Sequence, residues 1–294
     1  MKKTVAVFLQ FCAIGLSQLF AEERAVARTA RGEAVQAGGF AVDLPAVVRI
    51  QGATAFFFTA LDVTNSSSQA TPVLFEYLAS GVDAFGTLVA TLGAHSTFHR
   101  DDIMQYLADQ GFIKQAQANA AFGTLLITFE NSSFTTGTEA SASVRVYNYV
   151  TPGQRPSIGF AYRGEVLRVS GPHRVSSAIR NTALTSGSAP QISTNIGVED
   201  VGINDVGASD LTPITIQLSF YDATTGAQIG PQPTIGLNSG EVSQVTDVWT
   251  SYGLPASVTD AIVVATEISG TAQIRGYASL KDINTNDVSF FFMN

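Results

Sequence analysis

Histidine and neighbouring carboxylates are the side chains of this sequence whose spacing could support chemistry. His95 and His99 lie four residues apart, Asp101 and Asp102 follow them, and His173 is the third histidine. The first four could in principle hold a metal ion. However, they fall on a predicted strand-to-helix turn, and metal sites usually bring together more convergent ligands. We therefore favour a polar turn that caps a helix.

Motifs of known catalytic machinery are absent from the sequence. It contains no H-E-x-x-H zinc motif, no G-x-S-x-G nucleophile turn, no Walker loop and no G-x-G-x-x-G run that opens a helix. Ser239 lies in GLNSGE, where the glycine spacing is not that of a nucleophile turn. Adjacent carboxylates on a strand point to opposite faces, which suits solvation better than paired catalysis. We expect no catalytic residue, no cofactor-binding residue and no enzymatic activity.

Calcium is the one cofactor that the acidic loops could take. The segment DINTND at 282–287 begins like a calcium loop but lacks the glycine at the sixth place and the glutamate at the twelfth. The segment at 199–210 offers several further carboxylates. The candidate calcium ligands are Glu199, Asp200, Asp205, Asp210, Asp282 and Asp287. A tight turn and a flexible acidic loop are the alternatives, and we favour them over calcium.

Residues 1–21 have the layout of a secretory signal peptide. Two lysines precede a mostly apolar run that ends at Leu19, and Ala21 is a small residue suited to cleavage. The run is shorter than the roughly 20 apolar residues of a membrane-spanning helix. An uncleaved N-terminal anchor is the alternative. The single cysteine, Cys12, lies in this segment, so the exported chain would contain neither a disulfide nor a thiol.

Charge is sparse and unevenly distributed. Charged residues make up 14% of the sequence and hydrophobic residues 45%, which indicates a folded chain with a sizeable core. Without residues 1–21 the chain has 14 bases and 24 acids, a net charge of −10 that argues against nucleic-acid binding. Residues 191–294 hold eleven acids and two bases, whereas residues 22–190 hold thirteen acids and twelve bases. The negative second part would attract a basic partner surface.

Short apolar runs bounded by Gly, Asn, Ser, Asp and Pro cover most of the chain after about residue 45. Many of their residues are β-branched or aromatic, which predicts strands. We therefore expect an all-β fold of two tandem antiparallel β-sandwich domains. We place a flexible leader at residues 22–44, the first domain at 45–163, a linker at 164–190 and the second domain at 191–294.

One segment departs from the strand pattern. In HRDDIMQYLADQG at 99–111, apolar residues recur at helical spacing, and a glycine closes the segment. This pattern predicts a short helix inserted in the first domain. We expect Asp102 to cap it, and Asp247 to cap the corresponding turn or helix of the second domain.

The two halves resemble each other segment by segment, in the same order. The matching segments are 57–65 with 192–200, 71–80 with 215–224, 92–104 with 237–249, and 143–149 with 273–279. The last match pairs Arg145 with Arg275 and Tyr147 with Tyr277. A duplicated β-domain is the simplest explanation.

Two runs of three phenylalanines, at 56–58 and 290–292, place aromatic side chains on both faces of a strand. One face of each strand should join a core. The other must be covered by a neighbour or remain as an exposed apolar patch. We therefore expect packing between domains or between chains at these strands, and a core position for Trp249.

The segments FFFTALDVTNSSSQATPVLFEYLASG, LGAHSTFHRDDIMQYL and SVRVYNYV resemble tandem immunoglobulin-like β-sandwich units of exported proteins of environmental bacteria. The closing segment RGYASLKDINTND resembles the final hairpin of such units. The resemblance covers about residues 45–294 and rests on turn and core positions. It implies an immunoglobulin-like fold and export, and it carries no established activity.

The function predicted from these observations is that of an exported, non-catalytic structural or interaction protein that presents β-sandwich surfaces. The alternatives are a carbohydrate- or calcium-dependent binding module and an outer-membrane β-barrel. We expect a location outside the cytoplasm: secreted, periplasmic or on the cell surface. We also expect no nucleic-acid partner, no membrane span after removal of the signal, a protein or glycan partner, and self-association as one form of partnership.

The first prediction concerns maturation. The exported chain should begin near Glu22, because the small residue Ala21 closes the predicted signal peptide. Intact-mass measurement of the exported protein would check this. A mass that still includes residues 1–21 would contradict it.

Overall fold

The structure, a computed structural model, describes residues 40–52, 55–80, 85–129, 139–149, 157–167, 171–183, 191–285 and 287–294. The expected signal peptide lies outside the described residues, and so does the expected leader up to residue 39. The first strand begins at Phe40, so the end of the expected leader, residues 40–44, belongs to a strand.

The described residues of the first half form one antiparallel sheet and two short helices. The strands are β1 (Phe40–Gln51), β2 (Phe56–Asn65), β3 (Thr71–Ala79), β4 (Phe85–Leu92), β5 (Ser96–Arg100), β6 (Ala120–Phe129), β7 (Ala140–Tyr149), β8 (Ser157–Arg163) and β9 (Glu165–Val166). The helices are α1 (Ile103–Asp109) and α2 (Gln115–Ala118). The sheet has the order β4-β3-β6-β1-β2-β7-β8, with β5 beside β2 and β9 beside β1.

The second half forms two antiparallel sheets and one short helix. The strands are β10 (Arg174–Arg180), β11 (Ile192–Asn204), β12 (Ile214–Asp222), β13 (Gln228–Ile229), β14 (Thr234–Leu237), β15 (Val242–Val245), β16 (Asp260–Ser269), β17 (Ala272–Asp282) and β18 (Val288–Phe292). The helix is α3 (Val248–Tyr252). One sheet has the order β10-β16-β12-β13, with β14 beside β12, and the other β15-β11-β17-β18.

The expected all-β class with antiparallel sheets is confirmed, and β12 illustrates its cause. Ile214, Ile216 and Leu218 are buried, whereas Thr215 and Gln217 between them are only half-buried. Successive side chains of a strand point to opposite faces, so this alternation puts one face of the sheet in a core.

The segment expected to be a linker, residues 164–190, contains a strand. Residues 174–180 form β10 and pair with β16 over their whole length. The side chains of Val175 and Ile179 are buried. Two apolar residues among serines and arginines give a weak strand signal, and for this reason the composition of the segment resembles that of a linker.

The strands of the two halves pair in the same order. In the first half, one group of strands has the order β4-β3-β6-β1 and the other has the order β5-β2-β7-β8. In the second half, β13-β12-β16-β10 forms one sheet and β15-β11-β17-β18 the other. The difference is that β1 and β2 pair at residues 49–51 and 56–58, which joins the two layers of the first half into one sheet.

The strand register aligns the two halves residue by residue. Leu61 pairs with Arg100 and Val144, and Ile196 pairs with Val245 and Ala278. The expected match of residues 57–65 with 192–200 puts Leu61 on Ile196, and that of 92–104 with 237–249 puts Arg100 on Val245.

The expected match of Arg145 with Arg275 does not agree with this register. Since Val144 corresponds to Ala278, Arg145 corresponds to Ser279, four residues further along β17. The shared Arg-x-Tyr pattern of the two strands is therefore not a structural equivalence.

Each half has a hydrophobic core, and the two cores meet. In the second half, Trp249 is 1% exposed and its indole N–H donates to the carbonyl of Val258 at 2.9 Å, as expected for a core position. In the first half, α1 contributes three buried residues to the core. Val242 and Tyr277 of the second half are buried in this first core. The halves therefore share apolar interior.

The two expected helix caps differ. Asp102 stands at the N-cap of α1, and its carboxylate accepts a hydrogen bond from the backbone N–H of Gln105 at 3.0 Å. Asp247 precedes α3 but, among the described residues, makes no capping bond with its side chain. Its backbone is left-handed, with φ 46° and ψ 71°, whereas a capping residue has extended backbone. The expectation for Asp247 was wrong.

The helices are short. Of the described helices the longest, α1, has seven residues. Within the described part of the chain, no helix is long and apolar enough to cross a membrane.

The cap difference yields a prediction. Asp102→Ala should lower the free energy of unfolding by about 1 kcal/mol or more, since it removes an N-cap and the ion pair with Arg49 at 2.8 Å. Asp247→Asn keeps a side chain that tolerates left-handed backbone and should change the stability by less than about 0.5 kcal/mol. Denaturant unfolding of both variants is the measurement. Equal losses would contradict the assignment.

Candidate functional site

The histidine cluster of the first half is a closed ion-pair network. Nδ1 of His99 lies 2.6 Å from Oδ1 of Asp62, and Nε2 lies 3.0 Å from Oδ1 of Asp101. Arg145 donates to the other oxygen of Asp62. The two carboxylates raise the pKa of His99. Both ring nitrogens are engaged, so His99 does not present a nitrogen to a metal ion. His95 lies on the preceding turn with φ 48°.

Two of the six candidate calcium ligands serve other contacts in the second half. Asp205 accepts from Nε2 of His173 at 3.0 Å, and Nδ1 of the same ring contacts Glu267. Burial alone would lower the pKa of His173, but these two carboxylates outweigh it and raise the pKa. The carboxylate of Asp210 accepts hydrogen bonds from the hydroxyl of Thr271 and from the backbone N–H of Thr212.

The remaining four candidates fall in two places. Asp282 accepts from the N–H of Asn284, as in a tight turn, and Asp287 closes the same turn with its backbone carbonyl. Glu199 and Asp200 are buried on β11. The structure therefore does not bring the six carboxylates together. Among the described residues, no three His, Cys, Asp or Glu side chains are placed to hold a metal ion.

Glu199 belongs to a buried polar contact between the halves. It is 3% exposed and faces Asp43 of β1, which is 1% exposed. Burial, followed by the charge of Asp43, raises the pKa of Glu199 well above its ordinary value. Arg275 lies beside this pair, 3.9 Å from Asp43 and 2.9 Å from Glu165. Glu199 therefore holds a proton to a higher pH in the folded chain than in the unfolded chain, and the charge of Arg275 opposes this shift.

The raised pKa of Glu199 predicts a pH dependence of stability. The folded chain holds a proton that the unfolded chain releases above about pH 4.3, so stability should fall as the pH rises from there towards the raised pKa. Glu199→Gln keeps the shape and stays neutral, so its melting temperature should fall less between about pH 5 and pH 8. Thermal melts of both proteins, with the exposed Asp109→Asn as control, check this. Parallel profiles for wild type and Glu199→Gln would refute it.

An open groove of 630 Å³ lies along the edge of the second half, between β10 of one sheet and β18 of the other. Two of the apolar side chains in it are exposed: Phe291 at 50% and Ile262 at 39%. Arg180 and Asp260 form an ion pair at 2.6 Å in its wall. Its remaining lining residues are Ser176, Ser177, Ala178, Ile179, Leu280, Phe292 and Asn294. The groove thus joins apolar walls to a few polar groups, as binding clefts do.

The backbone of β10 adds one N–H group to this groove, that of Ala178, whose carbonyl accepts from the hydroxyl of Ser177 at 3.2 Å. Alternate residues of an antiparallel strand direct their N–H and C=O groups to the same edge. At this edge the backbone of Ser176 exchanges two hydrogen bonds with that of Asn294, at 2.8 and 3.0 Å. The backbone N–H and C=O of Arg180 are both hydrogen-bonded to the hydroxyl of Thr194. Ala178 lies between them and is exposed. No described backbone group pairs with its N–H, which faces the groove.

The first half contains the counterpart of the groove, and there it is filled. Tyr162 pairs with Val144 on β7, as Phe291 pairs with Ala278 on β17, so Tyr162 and Phe291 occupy equivalent positions. Tyr162 is 8% exposed, and its hydroxyl accepts the N–H of Ala46 at 3.0 Å.

The side chains that cover Tyr162 come from the second half. The ring of Phe290 stacks on it at 4.3 Å between centroids, and Phe292 meets it edge-on at 5.7 Å. The second half therefore docks on the open edge of the first through two phenylalanines at alternate positions of β18. The equivalent edge of the second half is the groove.

A second aromatic surface lies on the first half. Phe56 and Phe58 of β2 face Tyr149 and Tyr147 of β7, with centroids 5.3 and 5.5 Å apart. All four rings are partly exposed, and none belongs to the described hydrophobic cores. The guanidinium of Arg49 lies over the ring of Phe56 at 5.2 Å. We call these four rings the aromatic ladder.

The expectation drawn from the two phenylalanine runs holds in part. Phe290 and Phe292 pack against the core of the first half, and Phe291 is exposed. The three phenylalanines at 56–58, in contrast, are all half-buried and belong to none of the described cores. The sequence does not predict the groove, because half of it is β10, whose serines and arginines give only a weak strand signal.

Neither a scan against protein-family models nor a search of curated proteins finds a match to this chain. Among solved structures, the crystal structure of PBSX exported protein XepA aligns with 82% of this chain and 81% of its own length, at 11% identity and a TM-score of 0.20. This neighbour is an exported protein. A likeness of that size supports no conclusion about fold or function.

Proposed function

We propose that the protein is an exported, non-catalytic interaction protein of immunoglobulin-like β-sandwich units, and that its second half binds an extended segment of a partner polypeptide in the groove. Export rests on the predicted signal peptide at residues 1–21. The observation that carries the binding proposal is the equivalence of Phe291 with Tyr162: the same edge of the same repeat is covered in one half and exposed in the other.

The chain itself supplies the chemistry of the partner. Phe290 and Phe292 cover Tyr162 from alternate positions of an extended strand. A partner segment with aromatic side chains at alternate positions would cover Phe291 and Ile262 in the same way, and its backbone could exchange hydrogen bonds with Ala178. Such recognition combines main-chain hydrogen bonds with pockets for alternate side chains.

The state of the histidines supports a non-catalytic role. A general base needs a ring nitrogen within reach of a substrate. Both nitrogens of His99, and both of His173, already contact carboxylates.

This proposal predicts binding of a defined probe. A blocked peptide with phenylalanine at two alternate positions and lysine at its ends should bind the purified chain. Covering the exposed half of Phe291 is worth about 1.4 kcal/mol, so Phe291→Ser should weaken binding about tenfold. Ile268→Ser, which removes a side chain 51% exposed elsewhere on the second half, should leave it unchanged. Calorimetric titration is the measurement.

A peptide in which both phenylalanines are replaced by serine is the matched negative probe. Equal affinity for wild type and Phe291→Ser, or no binding of the aromatic peptide at all, would overturn the proposal.

A further inference from the structure

We propose that the partner of the groove is a second copy of this chain, which contributes its aromatic ladder. This inference rests on the proposed function of the groove and names its occupant. Because β2 and β7 pair with strands on both sides, the ladder would cover the groove with its rings alone and would not supply backbone hydrogen bonds. The contact would join the first half of one copy to the second half of another.

The contact between the two halves of one chain provides the template. It uses the open edge of the first half and the outer face of the sheet β15-β11-β17-β18, where Tyr277, Phe290 and Phe292 face the first half. Within the part of the chain that the structure describes, it leaves unused the open edge of the second half and the corresponding outer face of β5-β2-β7-β8. The groove is that edge, and the aromatic ladder lies on that face. The unused surfaces are therefore the same two kinds of surface that already bind each other within the chain.

The chemistry of the two unused surfaces agrees with this pairing. The ladder presents rings at alternate positions of a strand, Phe56 and Phe58 on β2, as β18 presents Phe290 and Phe292. Their partners across the sheet, Tyr147 and Tyr149, extend the aromatic surface. Strands hold these rings in place, so docking costs little side-chain entropy.

The charges at the ladder are balanced. Arg49 lies there with its guanidinium over Phe56 and pairs with Asp102 at 2.8 Å, and Arg145, further along the same face of β7, pairs with Asp62. The second half, which carries the groove, has eleven acids and two bases. We therefore expect the contact to depend on the burial of the aromatic rings and not on attraction between charges.

The two surfaces differ, so the contact is heterologous. Each copy that docks leaves one ladder and one groove free at the ends of the assembly. Such contacts build rings or open filaments, whereas a contact of groove with groove would stop at a dimer.

The test is sedimentation velocity over a concentration series of the full exported chain. Wild type should form a series of growing species. Phe291→Ser and Tyr147→Ser should each remain monomeric alone. An equimolar mixture of the two variants should form a dimer and nothing larger. Phe291→Ser retains an intact ladder and Tyr147→Ser an intact groove, so one contact can form between them and no second one. Val89→Ser, which alters an exposed residue of the first half, should behave as wild type.

The outcomes are distinguishable. Circular dichroism of each variant reports whether it folds, and Tyr149→Ser replaces Tyr147→Ser if the latter does not. A monomeric wild type, or a variant mixture that stays monomeric, overturns the inference. So does Tyr147→Ser that dimerises while Phe291→Ser does not, since the groove would then pair with itself. A monomeric wild type that still binds the aromatic peptide through Phe291 refutes the self-association alone and leaves the proposed function standing.

Discussion

The stacking of Phe290 on Tyr162 is the contact on which the arrangement of the two halves depends. A two-layer β fold has an open edge between its layers, and apolar side chains at that edge must be covered. In the first half the edge is closed by a strand of the second half, so the first core extends into Val242 and Tyr277. The halves therefore pack directly against each other. Their contact has the apolar character of a single interior.

The buried acid pair beside this contact adds selectivity to it. Asp43 and Glu199 lie on different halves, and each would be costly to bury as an isolated charge. Burial and the charge of Asp43 raise the pKa of Glu199, and Arg275 approaches from the same sheet as Glu199. An arrangement that moved one half relative to the other would leave a carboxylate buried beside apolar residues such as Leu126 and Val201. The polar contact thus disfavours other docking geometries more than it strengthens the native one.

Sequence reasoning predicted the elements of this fold better than their contacts. The apolar runs predicted the strands, the helical spacing at 99–111 predicted α1, and the match of 57–65 with 192–200 agrees with the register. It failed where the local signal was weak: β10 has two buried apolar residues. Glu199 and Asp200 were assigned to an acidic loop, although they lie in β11, because composition does not reveal that a carboxylate will face another across an interface. The groove joins β10 to β18, which lie far apart in the sequence, so no local pattern could have revealed it.

The duplication expected from the sequence would explain why one edge is closed and its equivalent is open. Two copies of a unit that binds through an edge and a face would satisfy one edge and one face within the chain. One edge and one face would be left over, and the two edges differ in how they are covered. Tyr162 anchors its edge with a hydroxyl bonded to Ala46, which suits a permanent intramolecular contact. Phe291 has no such polar anchor and keeps half its ring exposed, which suits a surface that another molecule covers.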